Sequence, residues 1–258
     1  MCFDANSRPP IGARHGEAAD LGEVELVTAD GNCFTAFRAR ARRPTGAGAL
    51  VLPDIRGLHP YYEELAVRFA EHGVDALAID WFGRTAGPGR RGEEFDDAPH
   101  VRQLTWPGIV ADITSAAAYL RSEAGGSVRA LFPVGFCLGG RIAFIAPSLD
   151  LGVAGAVGFY GRPTDQVAHG SPPPYTVANR LTAPILGIFA GDDEYIPNAA
   201  VAAYEEALRA AGAEHRLLTY PGTPHSFFDQ LAGTYAAEAA SAWRETMDFI
   251  TSGTARSA

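Results

Sequence analysis

Hydrophobic residues fall into short blocks that alternate between two patterns. Residues 49–53, 74–79, 128–134, 153–160 and 185–190 are near-continuous apolar runs bounded by glycine, proline or charged residues. That is the signature of strands covered on both faces. Residues 215–219 read as one more strand. Between the runs lie segments with helical spacing. In residues 61–71, Leu65, Ala66 and Phe69 share a face and Gly73 supplies the stop; residues 109–120, 141–146, 197–211 and 235–250 read the same way. Near the start, residues 24–28 and 33–38 flank Asp30-Gly31, which predicts a β-hairpin. Strands alternating with helices after an opening hairpin predict an α/β fold whose mostly parallel sheet has helices on both faces. Neither a repeat nor a linker divides the chain. The pattern gives an N-terminal arm over residues 1–23, one domain over 24–250 and a tail over 251–258.

Two long segments resist this scheme. Residues 82–104 are rich in Gly, Pro, Arg and acids, and a loop of that length in a compact domain is usually functional, here a partial cover over the site. Residues 162–180 form a second loop, stiffened by Pro172, Pro173 and Pro174.

Composition narrows the function classes. A net charge of −9 argues against a nucleic-acid partner. No run approaches the roughly 18 apolar residues of a membrane span, and the first ten residues lack the apolar core of a signal peptide. Cys2, Cys33 and Cys137 are an odd set with no C-x-x-C pair, which suits a reducing cytoplasm. Cys33, in a strand-like run, reads as a core filler; Cys2 falls in the arm.

The chemistry concentrates in Gly135-Phe136-Cys137-Leu138-Gly139-Gly140, which lies between a strand and a helix. A sharp strand-to-helix turn strains its central residue, requires glycine around it, and presents that side chain at the top of the sheet. The N–H of Leu138 is then placed to bind an oxyanion. Two further strand ends carry Gly191-Asp192-Asp193-Glu194 and Thr223-Pro224-His225-Ser226. Nucleophile, acid, then histidine is the order of the α/β-hydrolase triad, with Asp192 and Asp193 both available as the acid. The remaining histidines considered, His59, His72, His100, His169 and His215, lack this context and read as surface residues. Tyr160 and Arg162, just past a strand end near the turn, line the expected pocket; Trp106 and Phe82 either wall it or pack in the core.

With these motifs, and with Asp80-Trp81-Phe82-Gly83-Arg84 and the glycine-to-proline run 191–197, the chain resembles the dienelactone hydrolase family over roughly residues 24–250. The resemblance implies an α/β-hydrolase fold and a Cys-Asp-His hydrolase of esters or lactones that needs no cofactor and no metal. Its spacing selects Asp193 over Asp192. It makes Ile55 the second oxyanion donor. It also sets Asp54 where the best-known members have a glutamate interacting with the resting cysteine, although a turn cap is the other reading of Asp54. Arg84 matches an arginine that binds a substrate carboxylate, with a surface ion pair as the alternative. The second such arginine is replaced by Asp229. The implied partner is a small ester or lactone, and the implied assembly a monomer or small homo-oligomer. Two other functions use the same residues: a cyclase or isomerase acting on a natural-product intermediate, and a non-catalytic thiol-bearing binding protein.

Overall fold

The computed structural model describes residues 7–14, 16–229 and 231–257, so Cys2 lies outside the described residues. Eight strands, β1 (Ala18–Val27), β2 (Cys33–Ala41), β3 (Ala47–Leu52), β4 (Asp75–Ile79), β5 (Ala130–Phe136), β6 (Ala156–Phe159), β7 (Ile185–Ala190) and β8 (His215–Tyr220), form one sheet. Their order is β1-β2-β4-β3-β5-β6-β7-β8. The hairpin β1–β2 and the β2–β4 pair are antiparallel; every other pair is parallel. Helices α1 (Pro60–Glu71), α2 (Gly83–Ala86), α3 (Ala98–Val101), α4 (Trp106–Arg121), α5 (Leu138–Ile145), α6 (Asn198–Ala210) and α7 (Ala236–Arg256) make the crossovers and cover the sheet. None is long and apolar enough to cross a membrane among the described residues.

The central strands are buried on both faces, so alternate residues enter different cores. In β3, Ala47, Ala49 and Val51 pack on the side of α1, α6 and α7, whereas Leu50 and Leu52 pack on the side of α4 and Leu138. Each such Leu or Val contributes about 1.5–3 kcal/mol by leaving water. This two-sided burial explains why the central strands read as apolar runs.

The ends depart from the hydropathy reading. β1 starts at Ala18, inside the expected arm, because an edge strand is held by backbone pairing such as Leu21 with Ala39 and leaves Leu21 47% exposed. α7 runs on to Arg256, where Gly253 lies against the Phe132 ring so closely that a Cβ would stand 2.8 Å from it. Segment 82–104 is tied down by a buried ion pair. Arg91 donates to the Asp80 carboxylate at 2.8 and 3.2 Å, and its guanidinium lies 4.8 Å from the centre of the Phe95 ring.

Three expectations are corrected. His59 and His169 are buried, and burial pushes each imidazole down to about 4. Cys33 is half-buried rather than in the core, because its side of β2 faces Glu25 on the edge strand.

Candidate active site

The turn at Cys137 is built from what glycine lacks. β5 ends at Phe136, α5 begins at Leu138, and Cys137 between them has φ 52°. A non-glycine residue there is strained, at a cost of order 1–3 kcal/mol. A Cβ on Gly135 would lie 2.0 Å from the carbonyl oxygen of Gly139, one on Gly139 2.0 Å from that of Leu52, and one on Gly140 2.4 Å from that of Phe159. All three are backbone atoms that cannot step aside. Cys137 N–H donates to the Phe159 carbonyl at 3.0 Å, and Gly139 N–H donates to the Pro53 carbonyl at 3.0 Å. The turn is therefore pinned to β6 on one side and to the loop after β3 on the other. Leu138 opens α5, and the leading N–H groups of a helix have no partner within it.

The loops after β7 and β8 supply the acid and the base. His225 Nδ1 meets Asp193 Oδ2 at 2.7 Å, with the Asp193 side chain 1% exposed. The other oxygen, Asp193 Oδ1, accepts the backbone N–H groups of Tyr195 and Ile196 at 2.8 and 3.1 Å, so the carboxylate cannot rotate. Asp192 is exposed. The His225 ring is held between Tyr160 and Tyr195, whose ring centres lie 4.9 and 5.1 Å away. Tyr160 follows Phe159, the residue whose carbonyl accepts the Cys137 N–H, and so joins the turn to the histidine loop. Both Tyr160 and Ser226 have positive φ, 38° and 65°.

The substrate-binding expectations fare unevenly. Arg84 is already engaged: its guanidinium bridges Asp30 of the hairpin turn at 2.6 Å and the buried Asp112 of α4 at 2.9 Å. Here it cross-links the hairpin turn to α4, the ion-pair alternative for this residue. Arg162 is half-exposed and pairs with Asp165 at 3.4 Å. Asp229, in the histidine loop, is 2% exposed and accepts the Tyr160 hydroxyl at 2.9 Å. Asp54 is fully buried; its Oδ1 accepts the Arg56 N–H at 2.9 Å, which is a turn-capping contact. Phe82 is core, while Ile55, Phe95 and Trp106 pack partly exposed against the cluster containing Leu138 and Leu104.

Several contacts carried no sequence signal. Trp81 Nε1 donates to the carbonyls of Pro53 and Asp54, both at 3.1 Å, and Asp54 N–H donates to the Tyr62 hydroxyl at 3.1 Å. These are long-range pairings between side chains and loop backbone, invisible to periodicity. Two open hollows of ≈ 230 and ≈ 370 Å³ on other parts of the surface contain none of these residues. Among the described residues no group of His, Cys, Asp and Glu is arranged to hold a metal ion.

Comparison with known proteins places the chain in a family. The model of the dienelactone hydrolase family matches residues 34–253. A protein of Escherichia coli K12 named "Putative carboxymethylenebutenolidase" is 30% identical over 233 residues, covering 87% of this chain and 84% of its own. One of the same name from Methylorubrum extorquens is 29% identical over 260 residues, 93% of this chain and 86% of its own. The crystal structure of a "Putative Dienelactone Hydrolase" from Klebsiella pneumoniae superposes with a TM-score of 0.78 at 25% identity, covering 90% of this chain and 99% of that one. With the family model spanning most of the chain and the fold shared, the chain belongs to the dienelactone hydrolase family and is a lactone or ester hydrolase.

Proposed function

We propose that hydrolysis proceeds through Cys137, with His225 and Asp193 as its base and orienting acid. A thiol attacks well only as thiolate, and a free cysteine with a pKa of about 8.5 is largely protonated at neutral pH. His225 donates through Nδ1 to Asp193, which leaves its Nε2 lone pair to take the thiol proton. The sulfur bonds to the carbonyl carbon, and the resulting oxyanion is met by the N–H groups of Leu138 and Ile55. The C–O bond then breaks, the alkoxide leaves with the proton held by His225, and a thioester remains. Water attacks the thioester, giving up a proton to His225, and releases the acid and the free thiol. No cofactor enters any step.

The single observation that carries this reading is the 2.7 Å His225–Asp193 bond, with the His225 ring against Tyr160, the neighbour of the Phe159 carbonyl that holds the strained turn at Cys137. For the substrate, the relatives' name denotes a lactone bearing a carboxymethylene arm. Here Arg84 is paired with Asp30 and Asp112, whereas Leu104, Phe95 and Trp106 give an apolar flank beside Leu138. These features favour a neutral or larger, more apolar ester or lactone. The test is Cys137→Ala with an activated ester: turnover should fall by several orders of magnitude while circular dichroism is unchanged. Near-wild-type turnover would exclude Cys137 as nucleophile. A product of unchanged mass from the natural substrate would indicate rearrangement in place of net hydrolysis.

A further inference from the structure

The loop after β3 must present the Ile55 N–H, yet nothing in β3 itself dictates how that peptide faces. We propose that Trp81 is the positioning residue of the oxyanion site, acting through the peptide between Asp54 and Ile55; this rests on the reading of Cys137 as nucleophile. In a planar trans peptide the C=O and N–H point in opposite directions. The Asp54 carbonyl and the Ile55 N–H belong to one such unit, so whatever holds the carbonyl aims the N–H.

The carbonyl is held by the indole. Trp81 Nε1 donates to it at 3.1 Å, with a weaker contribution from Gly57 N–H at 3.3 Å. The same indole N–H donates to the Pro53 carbonyl at 3.1 Å, which also receives the Gly139 N–H of the nucleophile helix at 3.0 Å. One donor thus ties the Ile55 peptide to the residue following Leu138, the other proposed donor. The preceding peptide is fixed from its far side, where Asp54 N–H meets the Tyr62 hydroxyl at 3.1 Å.

Trp81 is itself immobilised. It is 1% exposed and flanked by Asp80, which is fully buried. The Asp80 carboxylate accepts Leu58 N–H at 3.1 Å, Phe82 N–H at 2.9 Å and the Arg91 guanidinium. The segments before and after the indole are therefore fastened to the same carboxylate as the loop it orients. Accepting a hydrogen bond at the carbonyl also polarises the peptide and makes its N–H a better donor to developing negative charge.

The test separates the oxyanion site from the thiol. Iodoacetamide alkylates a thiolate by displacement at carbon, without forming an oxyanion, whereas ester hydrolysis needs one. Trp81→Phe removes the N–H and keeps an aromatic ring; replacing Trp81 by benzothienylalanine, a near-isostere with sulfur for N–H, serves if the Phe variant is unstable in a thermal melt. Losing a donor outright costs about 10²–10³ in kcat, and loss of its positioning partner is expected to lower kcat about 10-fold or more. KM and the rate of Cys137 alkylation should stay at wild-type values. Unchanged kcat, or alkylation slowed in parallel with turnover, would overturn the proposal. If alkylating Cys137 in the wild type left turnover intact, the nucleophile reading itself would fall, and the Trp81 proposal with it.

Discussion

Replacing Asp193 by asparagine tests the site most sharply, because the surrounding hydrogen bonds dictate how the amide must sit. Asp193 Oδ1 accepts two backbone N–H groups, from Tyr195 and Ile196, while Oδ2 accepts His225 Nδ1. Asparagine keeps an oxygen and gains an NH₂. Turning the NH₂ toward the two backbone donors would forfeit two hydrogen bonds of about 1 kcal/mol each, so the opposite orientation should dominate by roughly 30-fold. The NH₂ then faces His225 and turns Nδ1 into an acceptor, which moves the ring proton to Nε2. A protonated Nε2 cannot take the thiol proton. In serine enzymes the wrong tautomer costs up to about 10⁴ in kcat, so a fall of about 10²- to 10⁴-fold is expected here. The assay is steady-state hydrolysis of a neutral p-nitrophenyl ester. Asp192→Asn is the control; Asp192 is exposed, and such surface changes stay within about twofold. Near-wild-type turnover in Asp193→Asn, or a larger loss in Asp192→Asn, would refute the argument.

Relief of the strained turn is measurable as stability: Cys137→Gly, at φ 52°, should be inactive yet more resistant to urea than Cys137→Ala, by about 1 kcal/mol. Equal midpoints would show that the turn stores no strain. Arg84→Ala should leave KM for an anionic ester unchanged but lower the urea midpoint, since the buried Asp112 loses one partner and retains Asn32; the expected cost is about 1–3 kcal/mol. A KM rise confined to anionic esters would return Arg84 to the substrate. For His169, burial lowers the imidazole from its ordinary 6.5 to about 4 in the folded chain. The unfolded chain therefore binds a proton first as pH falls, and stability drains between those values. Above 6.5 the residue contributes no pH dependence. His169→Gln should flatten the loss of unfolding midpoint between pH 6.5 and 4.5, and an unaltered slope would contradict its burial as neutral imidazole.

What the sequence disclosed depended on how local the determinant was. Strands β3, β5 and β7, buried on both faces, are apolar throughout and were legible at once. The turn at Cys137 was equally legible, because its glycines are demanded by backbone contacts within a few residues or to the adjacent strand. β1 was cut short because an edge strand needs no apolar alternation; backbone pairing with β2 suffices. For Arg84 and Asp229, spacing specifies a position and says nothing of the partner. Arg84 finds Asp30 and Asp112, and Asp229 finds the Tyr160 hydroxyl 69 residues away. The indole of Trp81, reaching carbonyls 27 and 28 residues distant, could not have been read from any window of sequence.

The crowding around the Cys137 turn separates two things that evolution can vary. Gly135, Gly139 and Gly140 are closed to substitution, because an added methyl would meet main-chain oxygen at 2.0–2.4 Å. Residue 137 is hydrogen-bonded to that frame through its main chain, its N–H to Phe159 and its carbonyl from Arg141 N–H. The frame therefore fixes where a reactive atom stands without fixing which atom it is. Exchange of sulfur for oxygen at that spot demands no backbone adjustment, only a retuned base. A change of nucleophile and a retuning of its base can thus proceed within one backbone, whereas a side chain at any of the three glycines would have to displace main chain.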